Sequence, residues 1–200
     1  MKIELEAKFV ETETKERIPL WLAVAITVVV SLPFGLYLDK YNLPLWVAFV
    51  VWAEYFALGA KPQALRIIVP AFALGVALTG VIMVAVAVLA PSLPTNGALA
   101  VCLFVGVGAM VFGMRYSKTL QAGSLPYFNG ISMLLGVYFT GAFPASAFTT
   151  DANLLPLVAA VWAILAGLLG AALGWFNVTI TFPHVVPSSK SAAGAVAPTH

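Results

Sequence analysis

Six long runs of apolar residues, separated by five short polar breaks, make up most of this chain. The runs cover residues 18–38, 43–60, 67–90, 97–114, 125–144 and 154–176. A helix that crosses a bilayer needs about 20 mostly apolar residues, and all six runs are close to that length. Run 67–90 is apolar on every face, whereas the strands of membrane barrels alternate apolar and polar residues. The pattern therefore predicts an all-α integral membrane protein with six transmembrane helices.

The composition agrees with this prediction, since 62% of the residues are hydrophobic and only 9% are charged. Soluble domains carry roughly 25% charged residues. A net charge of +2 provides no basic surface for phosphates, so we expect the lipid bilayer and not nucleic acid as a partner. The single cysteine and the two histidines, both in the C-terminal tail, predict no disulfide, no metal site and no cofactor.

The distribution of basic residues predicts the orientation. Nine of the ten Lys and Arg residues fall in segments that six crossings would place on one side, and only Lys40 falls on the other. Cytoplasmic segments are enriched in these residues. We therefore expect the charged arm, residues 1–17, and the tail, residues 177–200, in the cytoplasm. Acid–base pairs four residues apart favour a short helix in the arm, with a flexible arm as the equal alternative, and the composition of the tail predicts disorder.

Runs two and five share a sequence pattern that consists of Leu-Pro, an aromatic pair and Gly-Ala. The distance from the proline to the tyrosine is 11 residues in run two and 12 in run five, so the register slips by one. A 3+3 inverted repeat, which is common in transporters, explains the pattern. Unrelated helices that use the same capping and packing residues explain it equally well. The matching residues are Leu43-Pro44, Tyr55-Phe56 and Gly59-Ala60 in run two, and Leu125-Pro126, Tyr138-Phe139 and Gly141-Ala142 in run five.

Glu54 is the only Asp, Glu, Lys, Arg or His well inside a predicted span. A carboxylate at that depth is costly unless it is protonated, paired or hydrated, and such residues face protein or a water-filled path. Two roles follow from this. Glu54 is either a binding group on a solute path or a structural glutamate that is hydrogen-bonded to a neighbouring helix.

Polar side chains recur at helical spacing on three other runs, and with Glu54 they could line a narrow path. Packing is the alternative, because small and hydroxyl side chains allow membrane helices to approach closely. For each hydroxyl we favour packing, and for Asn129 the two roles are balanced. The candidates are Asn129, Ser132 and Thr140 in run five, Thr27 and Ser31 in run one, Thr79 in run three, and the tyrosines Tyr55 and Tyr138.

Run six carries Gly167, Gly170 and Gly174, which form a small-residue face. Such faces mark close helix contacts, either within one chain or between subunits. We therefore expect a homo-oligomer built partly on Gly170 and Gly174, with packing inside the chain as the alternative.

Two segments carry a resemblance to a known family. Residues 46–66 (WVAFVVWAEYFALGAKPQALR) and 125–130 (LPYFNG), with the glycine-rich last run, are similar to the YcdZ-like bacterial inner-membrane proteins, a family of uncharacterised function. The resemblance extends over about residues 43–174, and the charged arm and the long tail exceed it. It implies a multi-pass protein of the bacterial inner membrane, and it implies no catalytic residue.

Together these features favour a small α-helical membrane channel or transporter for a small polar solute. The alternative is a structural or accessory subunit of a larger membrane complex. A membrane enzyme is the weakest hypothesis, because its nucleophile and base would have to come from Glu54, Cys102, tyrosines and hydroxyls alone.

Overall fold

The structure, a computed structural model, describes residues 12–182 and 184–187. Six long helices account for most of these residues. Two short helices lie in the connections, and a two-stranded antiparallel ladder joins the ends of the described chain. The long helices are α1 (Leu20–Leu36), α2 (Leu45–Ala57), α3 (Pro62–Leu89), α4 (Thr95–Met114), α6 (Ser124–Thr140) and α8 (Leu155–Thr181), the short ones are α5 (Lys118–Ala122) and α7 (Ala145–Phe148), and the strands are β1 (Thr12–Lys15) and β2 (His184–Pro187).

One long helix lies at each of the six predicted runs, so the predicted helical fold is confirmed for the described residues, apart from the short ladder. Within the described residues, three helices are long and apolar enough to cross a membrane, and these are Pro62–Leu89, Asn96–Met114 and Ala152–Thr181. Helix α1 is apolar but shorter. That all six helices cross a bilayer stays a prediction.

The ends of the helices differ from the predicted runs where proline and glycine act. Helix α2 has only 13 residues, because the chain leaves the helical conformation at Gly59 and Ala60, both of which have positive φ. Helix α3 then begins at Pro62, five residues before the predicted run. Proline is favoured in a first helical turn, since its missing N–H has no partner there in any case.

Two predictions about the chain ends need correction. The tail was expected to begin at residue 177, but α8 continues to Thr181, because Asn177 and Thr181 are buried. In the arm, for which a short helix and a flexible segment were equal alternatives, Thr12–Lys15 form the strand β1, which pairs with β2 in the register Thr12↔Pro187. The remaining parts of the arm and the tail, residues 1–11 and 188–200, lie outside the described residues.

Helices α3 and α8 form the centre of the bundle. The ring of Phe72 covers Gly167, and Gly80 faces Ala160, so the two helices run antiparallel. Helix α2 packs mainly against α8, and α6 packs mainly against α3. Helix α1 lies outside against α8, and α4 lies outside against α3. The largest apolar cluster of the described residues joins α2, α3, α6 and α8.

The packing of α2 against α8 and the packing of α6 against α3 both depend on glycine. A Cβ atom added at Gly170 would overlap the carbonyl group of Ala48, and one added at Gly75 would overlap the carbonyl oxygen of Tyr127. These neighbours are backbone atoms, so no side-chain movement could relieve the overlap. Both helix pairs therefore need glycine at these points to reach their observed separation.

Helices α2 and α6 end in the same turn, a Schellman motif with glycine in the left-handed region. The N–H of Ala60 donates to the carbonyl of Tyr55 at 2.8 Å, and the N–H of Ala142 donates to that of Val137 at 3.1 Å. The same 82 positions separate Gly59 from Gly141 and Pro44 from Pro126. In this alignment Tyr55 corresponds to Val137 and not to Tyr138, so the register slip expected from the tyrosines disappears.

Candidate functional site

A buried carboxylate and a partly buried amide meet between α2 and α6. The amide nitrogen Nδ2 of Asn129 donates to Oε1 of Glu54 at 2.6 Å. Only 2% of the Glu54 side chain is exposed, and its second oxygen, Oε2, has no hydrogen-bond partner among the described residues. A buried oxygen without a partner is costly, because it has lost its hydration without replacement. We call Glu54 and Asn129 the polar pair.

The place of Glu54 in its helix adds to this cost. It lies in the last turn of α2, which ends at Ala57. The carboxyl end of a helix carries a partial negative charge, which disfavours an anion and favours a cation. The donation from Asn129 offsets part of the cost. The arrangement therefore presents oxygen acceptors in a negative field.

The predicted stripe on α6 continues outward from the polar pair. Asn129 is partly buried, and Ser132 and Thr140 are exposed. The hydroxyl of Ser132 donates to the carbonyl of Phe128 at 3.3 Å, and that of Thr140 donates to the carbonyl of Gly136 at 2.7 Å. Both bonds stay within α6, so the hydroxyls keep lone pairs free to accept. The stripe thus runs along the outer side of α6.

The other predicted hydroxyls lie elsewhere and stabilise helices. Thr27 and Ser31 in α1 are buried and donate to carbonyls of their own helix, at 2.8 and 2.6 Å. Thr79 in α3 donates to the carbonyl of Gly75 at 2.7 Å and lies 4.0 Å from the sulfur of Met110 in α4. Their hydrogen bonds join neither Glu54 nor Asn129. The structure does not gather the predicted path residues into one site.

The two tyrosines point into different parts of the bundle. Tyr55 is fully buried in the apolar cluster among α2, α3 and α8, and its hydroxyl has no partner among the described residues. Tyr138 stacks on Phe143 with 6.2 Å between ring centroids, and it lines a cavity of about 190 Å³ with Met83 and Val86. Neither hydroxyl belongs to the polar pair.

The three glycines of run six pack within the chain. A Cβ atom at Gly167 would meet Phe72, and a Cβ atom at Gly174 would meet the side chain of Tyr55. Gly170 lies against Ala48, as described above. The expectation that Gly170 and Gly174 form a subunit interface is therefore wrong, because α2 of the same chain occupies that face.

Sequence reasoning missed a second polar contact, between α1 and α8. The amide nitrogen of Asn177 donates to the hydroxyl of Thr27 at 3.1 Å, and the hydroxyl of Thr181 donates to the carbonyl of Asn177 at 2.7 Å. The signal was present in the spacing, since Gly170, Gly174, Asn177 and Thr181 share one helical face. This contact was missed because the run was predicted to end at residue 176, before Asn177 and Thr181.

Gly136 is the residue of α6 that corresponds to Glu54 in the alignment of α2 with α6. A Cβ atom there would lie 2.6 Å from Cη2 of Trp46, so an indole ring covers this position. The interface between α2 and α6 thus has the polar pair towards one end and the Trp46 indole towards the other, so its two ends differ in chemistry.

Comparison with known proteins gives a family but no activity. A family model described as "Protein of unknown function (DUF1097)" matches residues 19–181. No curated protein and no solved structure matches the chain. The match supports an uncharacterised family, as the resemblance of residues 46–66 implied, but it does not support the narrower YcdZ-like name.

Proposed function

We propose that this chain, which belongs to the DUF1097 family of proteins of unknown function, is a small membrane channel or transporter for a small polar solute. Since the family indicates no activity, the proposal is based on the polar pair. The solute passes between α2 and α6, where Glu54 and Asn129 contact it. The free oxygen of the buried Glu54 carboxylate is the observation that carries this proposal.

The energetics of Glu54 support a role on a path. A glutamate kept only for packing would have both oxygens satisfied, since an unpaired buried acceptor costs about 1–3 kcal/mol. Replacement by an apolar residue would remove that cost. A bound solute or water supplies the missing partner and explains why a carboxylate occupies this position.

The packing of the helices supports the 3+3 inverted repeat, which is common in transporters. If α1–α3 and α4, α6 and α8 form two halves, the second helix of each half packs against the third helix of the other half. In each of these pairs a glycine of the third helix lies against the backbone of the second helix of the other half, Gly170 against Ala48 and Gly75 against Tyr127. Solute sites in such folds lie at the repeat interface, as the polar pair does here.

We propose further that all six long helices cross the bacterial inner membrane with both termini in the cytoplasm. The excess of Lys and Arg on one side supports this orientation. This orientation places Lys40 on the outer side of the membrane and Arg115 on the cytoplasmic side. Single cysteines at these two positions in a Cys102→Ser background should react with an impermeant maleimide from opposite sides, and labelling from one side would reject the topology.

The direct test is flux into proteoliposomes of the purified protein. Swelling rates in solutions of urea, glycerol and ammonium chloride should exceed those of empty liposomes for at least one solute. Glu54→Gln keeps the shape of the side chain and removes its charge, so it should change the rate per folded protein. Glu16→Gln, the same substitution at an exposed residue before α1, is the matched control and should leave the rate unchanged.

Equal rates in folded Glu54→Gln and in the wild type would reject the path. Folding is checked by helical content and by elution as a single species. A purely structural glutamate predicts the other pattern, in which the stability changes and the flux per folded molecule does not.

One observation favours a second candidate, an accessory subunit of a membrane complex. Helix α4 contacts mainly α3, and its other side is open. Phe104 is 84% exposed there, and a Cβ atom at Gly108 would meet no atom within 4 Å. A stoichiometric membrane partner that purifies with the protein and is lost in Gly108→Leu would support this candidate.

A further inference from the structure

We infer that the polar pair binds a small monovalent cation, either an alkali ion or ammonium, and that this cation is the solute. The inference rests on the proposed function and deepens it, because it names the chemical class that the site accepts. It follows from the free acceptors and from the charge at the site.

The first step concerns the hydrogen-bonding groups. Asn129 donates an N–H to Glu54, and its carbonyl oxygen Oδ1 remains available as an acceptor. The second oxygen of Glu54, Oε2, is a buried acceptor without a partner among the described residues. The hydroxyl of Ser132, one turn along α6, donates within its own helix and can accept as well. The free groups are these oxygens and the second N–H of the Asn129 amide; the oxygens suit a cation or an N–H donor, and the carboxylate repels an anion.

The second step concerns charge. The carboxylate lies in the last turn of α2, where the helix adds a partial negative charge. Lys61 and Arg66, the basic residues that follow next in the chain, are exposed at the start of α3, and the side-chain bond of Glu54 goes to Asn129. Among residues 12–182 and 184–187 no basic side chain pairs with Glu54, so a bound cation would supply the positive charge that neutralises its carboxylate.

The third step separates monovalent from divalent ions. Calcium takes six to eight oxygen ligands, often several carboxylates, and transition metals prefer clusters of His, Cys, Asp or Glu. Within the described residues no group of three or more such side chains could hold a metal. One carboxylate with neutral oxygens matches a single positive charge.

The test measures binding without flux. The full-length protein in an uncharged detergent is titrated with the chlorides of ammonium, potassium and sodium, and its thermal midpoint is compared with that in equal choline chloride. We expect a saturable rise in the midpoint with at least one small cation. Ammonium alone would indicate recognition through N–H donors, and potassium or sodium would indicate ligation by oxygens.

The variants assign the effect to the pair. Glu54→Gln should abolish the saturable rise, Glu54→Asp should keep it at a higher cation concentration, and Glu16→Gln should leave it unchanged. The inference is overturned if choline acts as strongly as the small cations, or if folded Glu54→Gln responds like the wild type.

The outcome also separates this inference from the proposed function. Glu54-dependent flux of urea or glycerol without any cation-specific stabilisation would overturn the cation site and leave the pathway. Saturable, Glu54-dependent cation binding without flux of any solute would overturn transport and confirm only the site.

Discussion

Replacement of Gly170 by alanine tests how closely α8 and α2 must approach. The nearest atoms to the added methyl group would be the carbonyl group and Cα of Ala48, all of them backbone. A methyl group there cannot be accommodated by a change of rotamer, so one helix must shift. Gly170→Ala should therefore destabilise the bundle although alanine is the better helix former.

The magnitude follows from two opposing terms. Overpacking a closely packed interior costs typically 1–3 kcal/mol, and a backbone collision belongs near the upper end of that range. Alanine gains about 1 kcal/mol over glycine within a helix. We therefore expect a net loss of about 2 kcal/mol in the free energy of unfolding.

Gly108 provides the matched control, because a Cβ atom there would meet no atom within 4 Å. Gly108→Ala should be neutral or stabilising by up to about 1 kcal/mol. Gly75→Ala, the counterpart of Gly170→Ala in the other half, should resemble Gly170→Ala, since its methyl group would overlap the carbonyl oxygen of Tyr127.

The assay is equilibrium unfolding by a denaturing detergent added to a mild one, followed by helical circular dichroism and tryptophan fluorescence. Equal stability of Gly170→Ala and Gly108→Ala would refute the close-contact argument. A loss in Gly170→Ala without a loss in Gly75→Ala would refute the correspondence of the two halves.

Three further predictions concern single contacts. A double-mutant cycle with Thr27→Val and Asn177→Ala should give a coupling energy of about 0.6 kcal/mol, as is usual for hydrogen bonds between membrane helices, and additive effects would show that the contact contributes nothing. Gly59→Ala should destabilise by about 1–2 kcal/mol because φ is +93° there, and an unchanged unfolding midpoint would contradict the left-handed turn. Asn129→Leu should cost about 1–3 kcal/mol by leaving Glu54 without its donor, and adding Glu54→Leu should recover part of that loss; no recovery in the double variant would show that the pair is not coupled.

The apolar pattern predicted the positions of the six long helices, because helices in a membrane-type fold are apolar on most faces and their ends carry proline, glycine and polar residues. Glu54 and Asn129 were both named from the sequence, but their contact was not, since 75 positions separate them and only tertiary packing brings them together. The sequence also could not distinguish glycines that contact another helix from those with open space. Gly108 and Gly170 are both glycines within apolar runs, and only the packing of α2 against Gly170 distinguishes the close contact there from the open space at Gly108.

The ladder between β1 and β2 limits how many times the chain between them can cross a membrane. It pairs Thr12–Lys15 with His184–Pro187, and the N–H of Arg17 also donates to the carbonyl of Thr181 at 2.8 Å. Backbone atoms in contact cannot lie on opposite faces of a bilayer, so the chain between them must cross an even number of times. Three crossings, the number of helices that length and apolarity alone would select, would place β1 and β2 on different sides. If all three of these helices cross a bilayer, at least one of the shorter helices must cross it as well.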